Sequence, residues 1–276
     1  MSIAAGPNKS ASMELFRYMS FEHRDWIVDL LERNSLYFAY PKEFNDNDAF
    51  DCKTYEIISG YFNDDLKTAC CLLRKKLLEM FPREKTRSEI RRKINECGGN
   101  RAFVKRFTED FEAVTKRSWD DTRTGILCLT SDPPNDDMWK KYCNYNNGIC
   151  VCLDRMVLET TLHKVNLSSI PYLKGKILGG KVAYIDRPFK ITLTEFYKDP
   201  YAHMKRMLFT KLDSFSFETE TRIIIMEYGN EKQLVTFPHD LVKEVIVKKN
   251  TNSDIIAFVN DINEKRKTKF LLRVIE

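Results

Sequence analysis

Short runs of alternating or continuous apolar residues occupy both ends of the chain, and apolar residues at helical spacing fill the stretch between them. Met13 to Ser20, centred on Leu15-Phe16-Arg17-Tyr18, reads as a first strand. Trp26, Ile27, Leu30 and Leu31 then fall on one helix face to about Asn34. Leu36 to Tyr40 forms a second strand, stopped by Pro41 and the turn-forming Asn45-Asp46-Asn47-Asp48. Leu66, Ala69, Cys70, Leu73, Leu77 and Met80 make a helical stripe. Ile90 and Ile94 mark a second short helix broken by Gly98-Gly99, and Phe103, Phe107, Phe111 and Val114 make a further stripe.

After this helical block the pattern returns to strands. Gly125 to Thr130 is a continuous apolar run of the buried kind. Ser131 to Asp137 is a turn rich in helix caps, and Met138 to Tyr142 a short helix. Gly148 to Leu153, Lys181 to Ile185, Gln233 to Phe237, Leu241 to Val247 and Phe270 to Ile275 complete the strands, with a helix from about Ser253 to Asn263 before the last. Strands with one block of helices between them predict an α+β fold: a mixed or antiparallel β core with an inserted helical segment at about 60–120. The expected organisation is a loose tail at 1–12 and a single domain over 13–276.

One strand-like run carries unusual charge: Phe215-Ser-Phe-Glu218-Thr-Glu220-Thr-Arg222, followed by Ile223 to Ile225. Residues two apart in a strand share a face, so Glu218, Glu220 and Arg222 are expected on one side. Such a group is either a solvated face neutralised by Arg222 or a carboxylate pair held for chemistry.

Composition narrows the classes. The chain has 276 residues, 43% hydrophobic and 12% aromatic, as a folded globular protein does. No apolar run approaches the roughly 20 residues that span a bilayer, and the first ten residues lack a basic leader and apolar stretch, so a cytoplasmic location is expected. The eight cysteines (Cys52, Cys70, Cys71, Cys97, Cys128, Cys143, Cys150 and Cys152) form no CxxC pair, and the four histidines are scattered, so no metal is expected. Cys128, Cys150 and Cys152 read as small buried hydrophobes. Net charge is +5, yet Arg83 to Arg106 holds nine Lys/Arg against three Glu. That segment, with Arg87, Arg91, Arg92 and Lys93 at its centre, is either a solvated helix or a surface for nucleic-acid phosphates.

Several segments together resemble a bacterial family, the domain of unknown function 2971. They are Leu15-Phe16-Arg17-Tyr18; Leu36-Tyr37-Phe38-Ala39 with Pro41 and Phe44-Asn45-Asp46; Ser131 with Met138-Trp139, Tyr142 and Gly148-Ile149-Cys150; and Lys211 with Phe215-x-x-Glu218-x-Glu220-x-Arg222. Asn47 stands where that family usually has Pro, Cys143 and Asn146 where it has Ala and His, and Phe215 where it has Trp. More distantly, the order of an Arg on the first strand, a strand ending Leu129-Thr130-Ser131 before a helix, and a late Glu218-x-Glu220 resembles the arginine–serine–glutamate type of ADP-ribosyltransferase. That resemblance implies a transferase-like fold and NAD as substrate, with ADP-ribose passed to a protein or nucleic-acid acceptor, as in a toxin or phage-defence effector. Glu220 would stabilise the oxocarbenium-like ribose, and Glu218 would position or deprotonate the acceptor. Ser131 would orient Glu220 or the ribose, and Arg17 would hold the pyrophosphate. Tyr18, Tyr37, Thr130, Trp139 and Tyr142 would complete the cofactor site, with Tyr37 and Tyr142 stacking on nicotinamide. Two other readings stay open, a nucleic-acid-binding module without NAD chemistry and an NAD hydrolase.

Overall fold

A computed structural model describes residues 14–44, 71, 75, 87–96, 98–103, 105–106, 124–132, 135–164, 177–187, 199–225 and 234–276. The expected turn at Asn45 to Asp48 and the stripe from Leu66 to Met80 lie outside these residues, as do Phe107, Phe111 and Val114. The chain divides into two compact units. The first combines Met1–Tyr40, Arg123–Val182 and Phe215–Glu276; the second combines Pro41–Thr122 and Ala183–Ser214.

The elements, in chain order, are β1 (Glu14–Ser20), α1 (Arg24–Leu31), β2 (Ser35–Tyr37), α2 (Arg87–Glu96), β3 (Gly125–Thr130), α3 (Asp136–Cys143), β4 (Gly148–Asp154), α4 (Arg155–Lys164), β5 (Ile177–Lys181), β6 (Ala183–Ile185), α5 (Pro200–Leu208), β7 (Thr210–Leu212), β8 (Glu220–Ile225), β9 (Leu234–Thr236), β10 (Val242–Lys248), α6 (Ser253–Lys265) and β11 (Leu271–Ile275). The fold is mixed α and β with a mostly antiparallel sheet. In the first unit, seven strands run in the order β11-β10-β4-β1-β3-β8-β5, and β10–β11 is the parallel pair among them. A separate antiparallel pair joins β2 to β9.

Alternation along these strands builds two cores. One side of the sheet presents Leu15 and Met19, Leu127 and Leu129, Ile149, Val151 and Leu153, Ile223 and Ile225, and Val245 and Val247. They bury the apolar stripes of α1 (Ile27, Leu30, Leu31), α4 (Leu158, Leu162) and α6 (Ile255, Val259, Ile262). The other side presents Phe16, Cys150, Cys152 and Ile246 to Trp139 and Cys143 of α3. Asn135 caps α3, its Oδ1 accepting from the Met138 N–H at 2.8 Å, and Asn144 ends the helix in the left-handed region at φ 42°.

The sheet opens between β1 and β3. β4 pairs β1 along the whole strand, but β1 and β3 share the single register pair Phe16–Thr130. Past that point Ile126 exchanges both backbone hydrogen bonds with Ala39 instead.

In the second unit, α2 buries Ile94 and exposes Arg91 and Arg92, with Arg92 near Glu96 at 3.6 Å. Gly98 and Gly99 follow with φ 91° and 95°, a conformation that glycine adopts without strain and that ends the helix where the sequence predicts. β6 and β7 form a parallel pair, and α5 starts at a capping Asp199.

Gly148 shows how tightly α3 meets the sheet. A Cβ there would stand 2.5 Å from the Met19 carbonyl oxygen and 2.7 Å from Cys143 Sγ. Gly148→Ala should therefore destabilise the protein by about 1–3 kcal/mol, the usual cost of overpacking. Urea unfolding of the two proteins measures it, and an unchanged midpoint would show that the contact is soft.

Candidate functional site

Pairing fixes which of the expected site residues share a side. Thr130 lies opposite both Phe16 and Glu220, and Phe16 lies opposite Cys152. Directly opposed residues point the same way, so Thr130 and Glu220 face the side covered by α3. Tyr18, two residues from Phe16, shares that side and meets the Trp139 ring edge-on at 5.5 Å. Its hydroxyl accepts the Asn135 N–H at 3.0 Å. Trp139 is fully buried in this layer, and its Nε1–H has no partner among the described residues.

Glu218 does not share a strand face with Glu220 and Arg222 as the alternation suggests. Asp213–Glu218 is a 3-10 helix, and Thr219 has φ 42°, so the chain turns sharply before β8 begins at Glu220. A β-branched residue in that region is strained. Thr219 Oγ1 is held 2.9 Å from Thr130 Oγ1, tying the turn to the end of β3. Both carboxylates end up buried, but on different elements with different partners.

Glu220 and Arg222 lie two apart on β8 and pair directly. Arg222 Nε donates to Glu220 Oε1 at 2.7 Å and a terminal nitrogen donates to Oε2 at 3.2 Å. Arg222 is completely buried beside Ile223 to Ile225. Gly180 of β5 lies opposite it and contributes no side chain. Isolated charges at such depth would be expensive, and the two-point pair offsets part of that cost for both. The solvated-face reading is therefore excluded by burial.

Glu218 is gripped from α3. Lys141 Nζ donates to its Oε1 at 2.5 Å, and the Tyr142 hydroxyl donates to the same oxygen at 2.8 Å. The Lys141 ammonium also lies 4.0 Å from the Phe215 ring centre, 5.1 Å from Tyr142 and 5.6 Å from Phe217. Asn135 anchors this arrangement, since its Nδ2 donates to the Phe217 carbonyl at 3.3 Å. Burial, with Glu218 and Glu220 nearby, pushes the Tyr142 hydroxyl well above its ordinary pKa.

Arg17 departs from this group. Alternation turns it away from Phe16 and so from the side carrying Glu220. Its guanidinium donates to the Tyr37 carbonyl at 3.1 Å, and no carboxylate pairs with it among the described residues. Burial lowers its pKa to about 10, with Cys128 and Tyr37 acting in the opposite direction. Cys128, opposite Arg222 in the sheet, also acts electrostatically on Tyr142. Cys128 is half-buried, not buried as its apolar strand suggests, because β1 has already parted from β3 there. Ser131 follows at the bend, half-buried, with no side-chain hydrogen bond among the described residues. Tyr37 stacks on Trp26 at 5.3 Å, and Trp26 on His23 at 4.3 Å. Asn146, where the resembling family has His, is exposed.

Sequence reasoning named Arg222 as a partner of the carboxylates, and it pairs with Glu220, but it missed Lys141 as the partner of Glu218. Arg222 is legible because it stands two residues from Glu220. Lys141 is not, because its pairing with Glu218 depends on how α3 lies over the sheet. No group of His, Cys, Asp and Glu that could hold a metal occurs among the described residues, and no described helix is long and apolar enough to cross a membrane.

The α3 side of the sheet predicts an alkaline weakness. Tyr18 and Tyr142 are raised mainly by burial, as are Cys143 and Cys152, both to about 12, and Cys150. A group whose folded pKa is raised contributes stability in full below its unfolded value and loses it as pH climbs toward the folded one. With ordinary thiol values of 9.0, the loss should begin near pH 9 and continue toward 12. Urea midpoints at pH 7.5 and 10.5, under reducing conditions, should fall with pH. A flat profile would mean that these groups ionise in the native state.

Residues 138–223 match a family model described as "Protein of unknown function (DUF2971)". The match runs from the start of α3 through β8, the stretch that carries Lys141, Tyr142, Glu218, Glu220 and Arg222, and it supports the family resemblance. No curated protein and no solved structure matches the chain.

Proposed function

We propose that the protein is an ADP-ribosyltransferase-like enzyme that cleaves the nicotinamide–ribose bond of NAD and passes ADP-ribose to an acceptor. The observation that carries this reading is the adjacency of three strands. The strand with Arg17, the strand ending Thr130-Ser131 and the strand beginning at Glu220 are consecutive in the sheet, and Thr130 lies opposite Glu220. Residues far apart in sequence thus lie on three neighbouring strands, with Thr130 and Glu220 on one face and Arg17 on the other.

In this reading Arg17 holds the pyrophosphate. A desolvated guanidinium with no carboxylate partner among the described residues is suited to an anion with several acceptor oxygens. The dinucleotide then crosses the seam, and its nicotinamide ribose comes to Glu220. As the glycosidic bond breaks, nicotinamide departs with the bonding electron pair and positive charge grows on the ribose. Arg222 fixes the Glu220 carboxylate in one orientation beforehand, so little reorganisation accompanies that charge. Ser131 and Thr130 lie at the end of β3 to meet the ribose hydroxyls. The acceptor forms the new bond to the ribose carbon and gives up its proton to Glu218. Water in place of the acceptor would make the same site a hydrolase.

Purified protein should release nicotinamide from NAD, and Glu220→Gln should lower the rate roughly a hundred- to thousand-fold, the cost of one preorganised stabilising group. Because this change also removes a counter-charge from buried Arg222, melting of the variant is measured with the rate, and both are assayed well below the lower transition. Equal rates in folded wild type and variant would remove Glu220 from the reaction, and no release with cell lysate as acceptor would reject the reading.

A further inference from the structure

The basic stretch that the NAD reading leaves unused lies in the second unit. There α2 ends in a turn of fixed geometry. The Gly98 N–H donates to the Asn95 carbonyl at 3.0 Å and the Gly99 N–H to the Ile94 carbonyl at 2.9 Å, which closes the helix with both glycines at positive φ. The Gly99 carbonyl then accepts the Phe103 N–H at 3.0 Å, and the backbone is helical again at 100–103 and 105–106. Arg91 and Arg92 are exposed before this turn, and Arg101, Lys105 and Arg106 after it. Glu96 is the exposed carboxylate among the described residues of the stretch. It lies 3.6 Å from Arg92 with both side chains mostly in solvent, so that pair contributes little. Arg91, Arg101 and Arg106 have no ion-pair partner among the described residues. Like charges gathered on a defined backbone repel one another and attract anions.

The apolar residues of the stretch narrow the class of anion. Ile94 is buried, and Ala102 and Phe103 are half-buried, so the described surface presents charge without an apolar stripe. A helix that lies in a membrane surface needs such a stripe. Single-stranded nucleic acid is held largely by stacking on exposed rings. Neither fits. We infer that this helix–glycine–glycine–helix segment docks on the phosphate backbone of a double-stranded nucleic acid without reading its sequence. Guanidinium groups match phosphate oxygens in geometry as well as charge, and contacts to phosphate alone position a protein without specifying bases. The inference uses residues of the second unit and requires no NAD, so a failed nicotinamide assay and a failed duplex assay report different faults.

Fluorescence anisotropy with a labelled DNA duplex, an RNA duplex of the same sequence and the single DNA strand tests it on the full chain. At least one duplex should bind at low salt, and a preference between the two names the source of the phosphates. With about four phosphates neutralised, affinity should fall roughly a hundredfold between about 50 and about 200 mM salt. Changing Arg91, Arg92, Arg101 and Arg106 to Gln should flatten that dependence, by about 0.9 in the slope of log affinity against log salt for each cation in contact. Changing Arg33, Lys249, Lys265 and Lys267 to Gln removes the same charge from exposed positions of the first unit and should leave the slope as it is. Should the first variant fail to fold, Glu96→Gln replaces it, and loss of the exposed carboxylate should tighten duplex binding about twofold or more. No duplex binding at low salt, tighter binding of the single strand, or binding of phosphatidylserine vesicles in place of the duplexes overturns the inference. So do equal losses in the two four-residue variants, or a Glu96→Gln protein with wild-type affinity.

Discussion

A guanidinium and a carboxylate two residues apart on a strand otherwise made of Thr221 and three isoleucines set the terms for the rest of the sheet. Arg222 is wholly buried and Glu220 nearly so, and two hydrogen bonds join them. Replacing such a pair with apolar residues is often neutral or stabilising, so its presence is weak evidence for stability. What it does enforce is orientation. Glu220 cannot leave Arg222 cheaply, and Arg222 itself is fixed in β8 between Cys128 of β3 and Gly180 of β5. Glu220 is thereby held at the start of β8, opposite Thr130, at the end of the sheet where β1 begins to part from β3.

The second carboxylate is organised differently. Glu218 precedes the strand, on a 3-10 helix that a left-handed Thr219 joins to β8. Its partners come from α3, and α3 is placed by Trp139 and Cys143 against the sheet, by the Asn135 cap, and by Gly148, which has room for no side chain. Two glutamates two residues apart are thus separated, one paired with the Arg222 guanidinium and one with the Lys141 ammonium.

The strands were legible wherever apolar runs were long. β3, β4 and β10 stand within a residue or two of their expected bounds, since continuous runs such as Ile149 to Leu153 have few alternatives. Gly98-Gly99 ended its helix as expected. What failed was the face assignment around Glu218. Alternating charge from Phe215 to Arg222 imitates a strand, but a 3-10 turn and one strained threonine break the period, and a β-branched residue gives no local sign of adopting positive φ. Arg17 illustrates a different limit. Its neighbours Phe16 and Tyr18 face α3, so period two sends Arg17 to the opposite side, where only the path of Tyr37 and Ala39 across the opened seam gives it a partner. The half-exposure of Cys128 has the same cause. None of this is encoded near those residues; it follows from where β1 and β3 separate.

The most direct test of the account is a crystal structure with a hydrolysis-resistant NAD analogue in which the nicotinamide–ribose link is a carbon–carbon bond. The account predicts the pyrophosphate at Arg17, the nicotinamide ribose within hydrogen-bonding distance of Glu220 and the Thr130-Ser131 strand end, and the Glu220–Arg222 pair unchanged. An analogue bound away from the β1–β3 seam, or a Glu220 that stays sealed beneath α3 with the analogue bound elsewhere, would contradict it.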